Sequence, residues 1–255
     1  MLMIIAPSKT QDLKSSVVVA GATQPLFLAD SELLVRELGR LSVEELSELM
    51  GMSERLAQQT HQRIHDFKPP FTHDNARPAL TVFQGDVYSR IAVMEYGQKE
   101  MEYVQEHLCI LSGLYGLLRP LDLMQSYRLE MGCRLPNERG GNLYDFWREK
   151  VSSELNRLLC DHPDPTLVNL ASTEYSRVIN KKELKGDFLE IDFKERKGDT
   201  FRTVAIHAKR ARGMMVDFAV KGKVETAAEL KNFHQDGYGF QKELSGENHF
   251  VFTRG

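Results

Sequence analysis

Apolar positions along this chain fall partly in short unbroken runs and partly at helical spacing, and no single period governs the whole. Leu2 to Ala6 is an unbroken run closed by Pro7 and the polar Ser8-Lys9-Thr10, which predicts a buried strand ending in a turn. Leu26 to Leu41 has helical spacing. Ser42 with Glu45 three residues on forms a capping box, predicting a helix to Met50 that meets Gly51. Ser53 starts the next helix, Glu54 to about Phe67, stopped by Pro69-Pro70. A strand over Ala79 to Gln84 and a helix over Lys99 to Leu111 follow. From Ser112 to Pro136 no period persists, and Gly, Pro, Arg and Tyr accumulate. Asn142 to Cys160 is an amphipathic helix carrying the only tryptophan, Trp147. Strands are then expected at Thr166 to Ala171, Phe188 to Phe193 and Phe201 to Ala208. Helices are expected at Lys209 to Val220 and Thr226 to Lys231, and a last strand at His249 to Thr253.

Strands and helices interleave irregularly, without the even rhythm of a doubly wound sheet, and no repeat or linker divides them. The expected fold is α+β (mixed α/β), a single domain over 1–255 of irregular topology. Hydrophobic residues at 42% and charged residues at 27% exclude global disorder. No apolar run is long enough to span a bilayer, and the amino-terminal segment lacks the pattern of a secretory signal. Cys109, Cys133 and Cys160 are widely spaced and odd in number, which suits a reducing compartment and argues against disulfides or a thiolate zinc site. A cytoplasmic location is expected.

A formal net charge of −3 argues against a nucleic-acid partner, until its distribution is considered. Between Arg177 and Arg212 there are eleven Lys or Arg against six Asp or Glu, whereas Leu41 to Asp66 has two Arg against five acids. A polarised molecule can take an anion locally. The helix expected after Ala208 carries Lys209, Arg210 and Arg212 in its first turn, where cations are disfavoured by ~0.3–1 kcal/mol each. A bound phosphate reverses that penalty, while neighbouring acids offer a plain structural explanation.

In the aperiodic segment, Gly113 and Gly116 permit close backbone approach, Tyr115 and Tyr127 can stack on a base, and Arg119 and Arg128 can fork onto phosphate. Pairing of Arg128 with Glu130 is the alternative. Ser8 and Lys9 follow the first strand without the glycines of a Walker loop, and Ser172 and Glu174 follow the strand ending near Ala171. Ligands often sit at such strand exits, although capping explains Ser172 equally well. Leu49 to Ala57 is similar to a helix-hairpin-helix, with Gly51 in place and Ser53 where a second glycine belongs. His61 and His65 share a helix face, but no His-Glu-x-x-His pattern is present, so neither metal nor cofactor is expected.

The combination resembles the YaaA family of peroxide stress resistance proteins. The resemblance is carried by Ile5 to Thr10, Phe83 to Tyr88, Leu111 to Met124 with Tyr127 to Gly132, Asn169 to Ser172 with Glu174-Tyr175, and Ala208 to Met215. It implies one domain with a helix-hairpin-helix element within 42–67 and a basic cleft that binds DNA. It also implies a cytoplasmic role in surviving hydrogen peroxide by lowering loose iron. Within the matching motifs, the basic residues Lys9, Arg119, Arg128, Lys209, Arg210 and Arg212 are the expected phosphate contacts. Ser8, Tyr115, Tyr127, Ser172 and Glu174 are the expected polar or stacking groups. The expected partner is DNA, bound largely without sequence preference, and no membrane. The alternative is an enzyme acting on a nucleotide-like small molecule, a nucleobase or damaged DNA, with Glu174, Asp86 or Glu130 as acid or base.

Overall fold

The first apolar run forms an inner strand of the main sheet. In a computed structural model, which describes residues 1–14 and 21–255, β1 (Leu2–Ile5) is wholly buried and paired on both edges. Three helices follow: α1 (Leu28–Leu38), α2 (Val43–Met50) and α3 (Glu54–His65). The capping box at the start of α2 is formed as read: Glu45 N–H donates to Ser42 Oγ, and Ser42 N–H donates to Glu45 Oε2 at 2.7 Å. Gly51 closes α2 in the left-handed region at φ 58°.

The strand expected over Ala79 to Gln84 is a correction. After β2 (Arg77–Pro78), those residues form one buried helical turn, α4 (Ala79–Val82), whose leading N–H groups donate to Asp122 O and Pro120 O. A short apolar run buried on all sides has no period by which to tell helix from strand. For the same reason the helix expected to reach Leu111 stops early. α5 (Gln98–His107) gives way to β3 (Leu108–Ser112), fully buried beside β1.

The aperiodic segment contains β4 (Gly116–Leu118), which folds back antiparallel on β3, and β5 (Leu123–Met124), which pairs with β2. Gly116 makes the reversal: its φ is 67°, and a Cβ there would lie 2.6 Å from the ring of Trp147. Trp147 belongs to α6 (Leu143–Leu159) and donates its indole N–H to Gly113 O at 2.9 Å.

β6 (Leu167–Asn169), a short α7 (Thr173–Ser176) and β7 (Phe188–Lys197) follow. The strand expected over Phe201 to Ala208 is also corrected. β8 ends at Arg202 (Thr200–Arg202), an exposed edge partner of β7, and α8 already begins at Ala205 (Ala205–Gly222). The helix expected at Thr226 to Lys231 is a 3-10 helix, Ala227–Asn232; β9 (Gly239–Phe240) and β10 (His249–Arg254) complete the chain.

The main sheet runs β4-β3-β1-β6-β7-β10-β9, with β8 on β7. Its five central strands, β3-β1-β6-β7-β10, are mutually parallel, and the outer ones antiparallel. The fold is a single α+β domain with a mixed sheet. Because β1 has β3 on one side and β6 on the other, the chain builds outward in opposite directions from it. The gap beyond the carboxyl ends of β1 and β6 is therefore a topological switch point, where open sheets leave a crevice. Among the described residues no helix is long and apolar enough to cross a membrane.

Candidate functional site

That crevice is occupied by a cleft of about 370 Å³. The exit of β1 supplies Ala6 to Gln11 and the exit of β6 supplies Leu170, Ser172 and Glu174. The segments Gln84 to Tyr88 and Tyr127 to Glu130 close two sides, and α8 contributes Lys209 and Arg212. Direct bonds hold these strands of chain together. Tyr88 OH donates to Ala6 O at 2.9 Å, and Gln11 Oε1 accepts from Tyr127 N–H and Ser126 Oγ–H at 2.9 and 3.0 Å. The hydroxyls of Ser112 and Tyr127 lie 2.7 Å apart. Gly213 lets α8 come close, since a Cβ on it would stand 2.0 Å from Val87 O.

Tyr88, Tyr127 and Tyr175 lie along the cleft, almost fully buried. Burial pushes all three phenols above their usual range, so they remain neutral. The same cleft is lined by four cations, Lys9, Arg128, Lys209 and Arg212, and three carboxylates, Asp86, Glu130 and Glu174. Lys9 Nζ sits 2.7 Å from Glu130, whereas Arg128 reaches that carboxylate only at 4.0 Å. Glu174 accepts the Gly132 N–H at 3.0 Å through Oε1. The Nε atoms of Arg128 and Arg212 are buried and, among the described residues, have no acceptor. Burial lowers the pKa of the Arg212 guanidinium, with Asp192 and Glu190 acting against it. A desolvated guanidinium without a bonded counter-ion is suited to an incoming anion.

Of the residues read from sequence, Ser8, Lys9, Tyr127, Arg128, Ser172, Glu174, Lys209 and Arg212 converge on the cleft. Their setting differs in one respect. Lys209 is not in a first turn, because α8 starts four residues earlier, and the macrodipole argument for an anion there fails. Lys209 and Arg212 face the cleft because they are three apart on one helix face. Arg210, about 100° round the helix from Lys209, instead pairs with Asp86 at 3.3 Å.

Two expected contacts lie elsewhere. Arg119 turns its guanidinium onto Gln105 O, donating from Nε at 2.7 Å, because its backbone is anchored by Asp122. Tyr115 is fully buried by the reversal at Gly116, its hydroxyl bonded to Gln125 O and N–H at 3.1 Å, so no base can stack on it. Gly51 and Ser53 stand at the tip of the α2–α3 hairpin, and Ser53 makes no capping bond through its side chain. Leu49 and Met50, just before that tip, wall a neighbouring cavity of about 260 Å³ that shares Glu130 and Glu174 with the cleft. Cys133 also lines it, a neutral thiol pushed up to about 11 by burial.

His65 Nδ1 lies 2.9 Å from His61 O, and among the described residues no group of three His, Cys, Asp or Glu is placed to hold a metal ion. Sequence reasoning missed Gln11, Tyr88 and Tyr175 as cleft residues. The signal available was proximity: Gln11 and Tyr175 each lie three residues from Ser8 and Ser172 beyond strand exits, and Tyr88 lies three residues after Gly85 in the turn that follows α4.

A family model described as peroxide stress protein YaaA matches residues 1–244. A UPF0246 protein from Acaryochloris marina is 46% identical over 254 residues, covering 100% of both chains. UPF0246 proteins from Colwellia psychrerythraea and Cellvibrio japonicus are 41% and 42% identical, each covering 100% of this chain and 99% and 98% of their own.

Proposed function

The chain belongs to the peroxide stress protein YaaA family, and from that premise we propose that it binds DNA through the switch-point cleft. The observation that carries the reading is the pair of buried, acceptor-free Nε atoms of Arg128 and Arg212 in a crevice beyond parallel strand ends. A cleft of about 370 Å³ suits one nucleotide unit, its phosphate on Lys209 and Arg212 and its sugar or base against the tyrosines. Such contacts read backbone rather than sequence. In this reading the protein acts in the cytoplasm during peroxide stress, limits oxidative damage, and lowers loose iron at a step after DNA binding.

Fluorescence anisotropy on duplex, single-stranded and bubble DNA tests it. Log K should fall linearly with log salt, and Arg212→Gln should weaken binding on the order of tenfold, the ~1.4 kcal/mol scale of a charge-assisted hydrogen bond. Absence of binding to all three at low salt refutes the proposal.

A second reading is favoured by the carboxylates. Asp86, Glu130 and Glu174 stand in a cleft otherwise suited to anions, where their charge opposes binding. An enzyme acting on a nucleotide, nucleobase or damaged DNA would use one of them as acid or base. Mass spectrometry of nucleotides and lesion-bearing oligonucleotides incubated with the protein decides this: substrates unchanged across the panel would remove it.

A further inference from the structure

The cleft does not end at its carboxylates. Glu130 and Glu174 line it and also line the neighbouring cavity of about 260 Å³, so the two spaces adjoin at these side chains. The rest of that cavity is apolar or without a side chain. Leu49 and Met50 come from the end of α2, Cys133 lies against them with its Sγ 3.9 Å from Leu49 O, and Gly132 completes the lining. The two carboxylates differ in their bonding. Lys9 stands 2.7 Å from Glu130 and offsets its charge. Glu174 has no ion pair among the described residues, and only its Oε1 is bonded, accepting the Gly132 N–H at 3.0 Å. A carboxylate with a free oxygen opposes a phosphate but suits N–H donors carried elsewhere on the same ligand.

We propose that this cavity is a base subsite for a guanine-type ring, whose phosphate lies in the cleft and whose adjacent ring N–H and amino group both donate to Glu174. Leu49, Met50 and Cys133 supply the apolar contact that a ring needs. Guanine presents two neighbouring donors on its pairing edge. Adenine and cytosine set a donor beside an acceptor there, and thymine has a single donor between carbonyls. This deepens the DNA-binding reading and rests on it: phosphate contacts in the cleft stay indifferent to sequence, and one unpaired base adds a preference. It also gives the α2–α3 hairpin a contact with a base, whereas the helix-hairpin-helix pattern would place a phosphate at the Gly51–Ser53 tip.

The test uses the full chain and the variant Glu174→Gln, which keeps an acceptor for the Gly132 N–H. Calorimetric titration compares deoxyguanosine monophosphate, deoxyinosine monophosphate, which lacks the amino group, and deoxyribose 5-phosphate, which lacks the base. Wild type should bind the guanine nucleotide about tenfold more tightly than the hypoxanthine one. Glu174→Gln should lose about tenfold for the guanine nucleotide, yet hold deoxyribose 5-phosphate at least as tightly, because a negative charge beside the phosphate is gone. A merely structural role would weaken both ligands together. Met50→Trp, which fills the cavity, should likewise weaken the guanine nucleotide and leave deoxyribose 5-phosphate unchanged. Equal binding of the guanine and hypoxanthine nucleotides, or parallel loss of every ligand in Glu174→Gln, overturns the subsite. A thymidine oligonucleotide with one central guanine or hypoxanthine separates the sources: the same preference there assigns the subsite to DNA, and a preference confined to the mononucleotide assigns it to free nucleotides.

If wild type binds neither deoxyribose 5-phosphate nor any of these nucleotides, it is the DNA-binding reading that fails. The cavity is then judged with guanosine alone. Binding that exceeds that of inosine and disappears in Glu174→Gln upholds the base subsite, and no such binding refutes it.

Discussion

Among the described residues, the buried carboxylate of Asp122 is bonded only to neutral donors. Thr23 Oγ1–H donates to one oxygen at 2.6 Å and Arg119 N–H to the other at 2.7 Å. Burial raises its pKa to about 6, with both hydrogen bonds opposing the shift. Since the unfolded value is ~3.9, the folded state holds the proton over a higher pH range than the unfolded state does. The stability this group contributes is thus fully present below pH ~3.9 and is lost as pH rises through about 6, by roughly 2–3 kcal/mol. Asp122→Asn removes that dependence while keeping an acceptor for the Arg119 N–H and offering the Thr23 hydroxyl an amide group in place of the carboxylate oxygen to which it donates. Urea unfolding at pH 4 and pH 7 should show the variant gaining on wild type by about that amount between the two. A gap independent of pH would mean the carboxyl titrates normally in the fold.

Among the elements, α8 decides whether the cleft exists, and Gly213 decides where α8 lies. An exposed mid-helix glycine replaced by alanine gains about 1 kcal/mol. Here the added Cβ would meet Val87 O, a backbone atom that cannot swing aside, at 2.0 Å. Gly213→Ala should therefore destabilise by several kcal/mol, with the sign of overpacking. It should also weaken the DNA binding proposed above by displacing Lys209 and Arg212 from the Gln84–Tyr88 wall. Chemical denaturation with anisotropy on the folded fraction measures both, and a stabilised variant with native affinity contradicts the packing described. The same helix shows what local pattern can convey. Its apolar content was legible, but Phe201 to Ala208 reads as strand because the turn between Arg202 and Ala205 carries no Gly or Pro. By contrast α2 was legible at both ends, since Ser42, Glu45 and Gly51 each carry a local cap. Burial on all sides erased the period at Ala79 to Val82 and Leu108 to Leu111, where only pairing partners distinguish the states.

At the scale of the molecule, the acidic segment Leu41 to Asp66 and the basic Arg177 to Arg212 give a chain of net charge −3 a polarised surface. Glu44 and Glu48 are exposed on α2. If the proposed DNA binding holds, Glu44→Gln with Glu48→Gln should raise the affinity severalfold at low salt by removing repulsion, with the two proteins converging as salt approaches ~1 M. Salt titrations that stay parallel would contradict this. Much of the cleft was legible because strand exits are local features, so Ser8, Lys9, Ser172 and Glu174 could be read from where a run of apolar residues stops. That Arg119 and Tyr115 turn away was not legible. Their direction depends on the chain folding back at Gly116 beneath Trp147, 31 residues later in sequence.

The inner position of β1 has a consequence for how the cleft is put together. Its lining draws on Ser8, at the exit of β1, and on Arg212, far along the chain on α8. Side chains from residues 6 to 212 meet there, so no fragment that stops short of α8 carries the complete lining. The cleft is therefore a property of the assembled sheet with its helix docked, and a truncation before Lys209 leaves it incomplete.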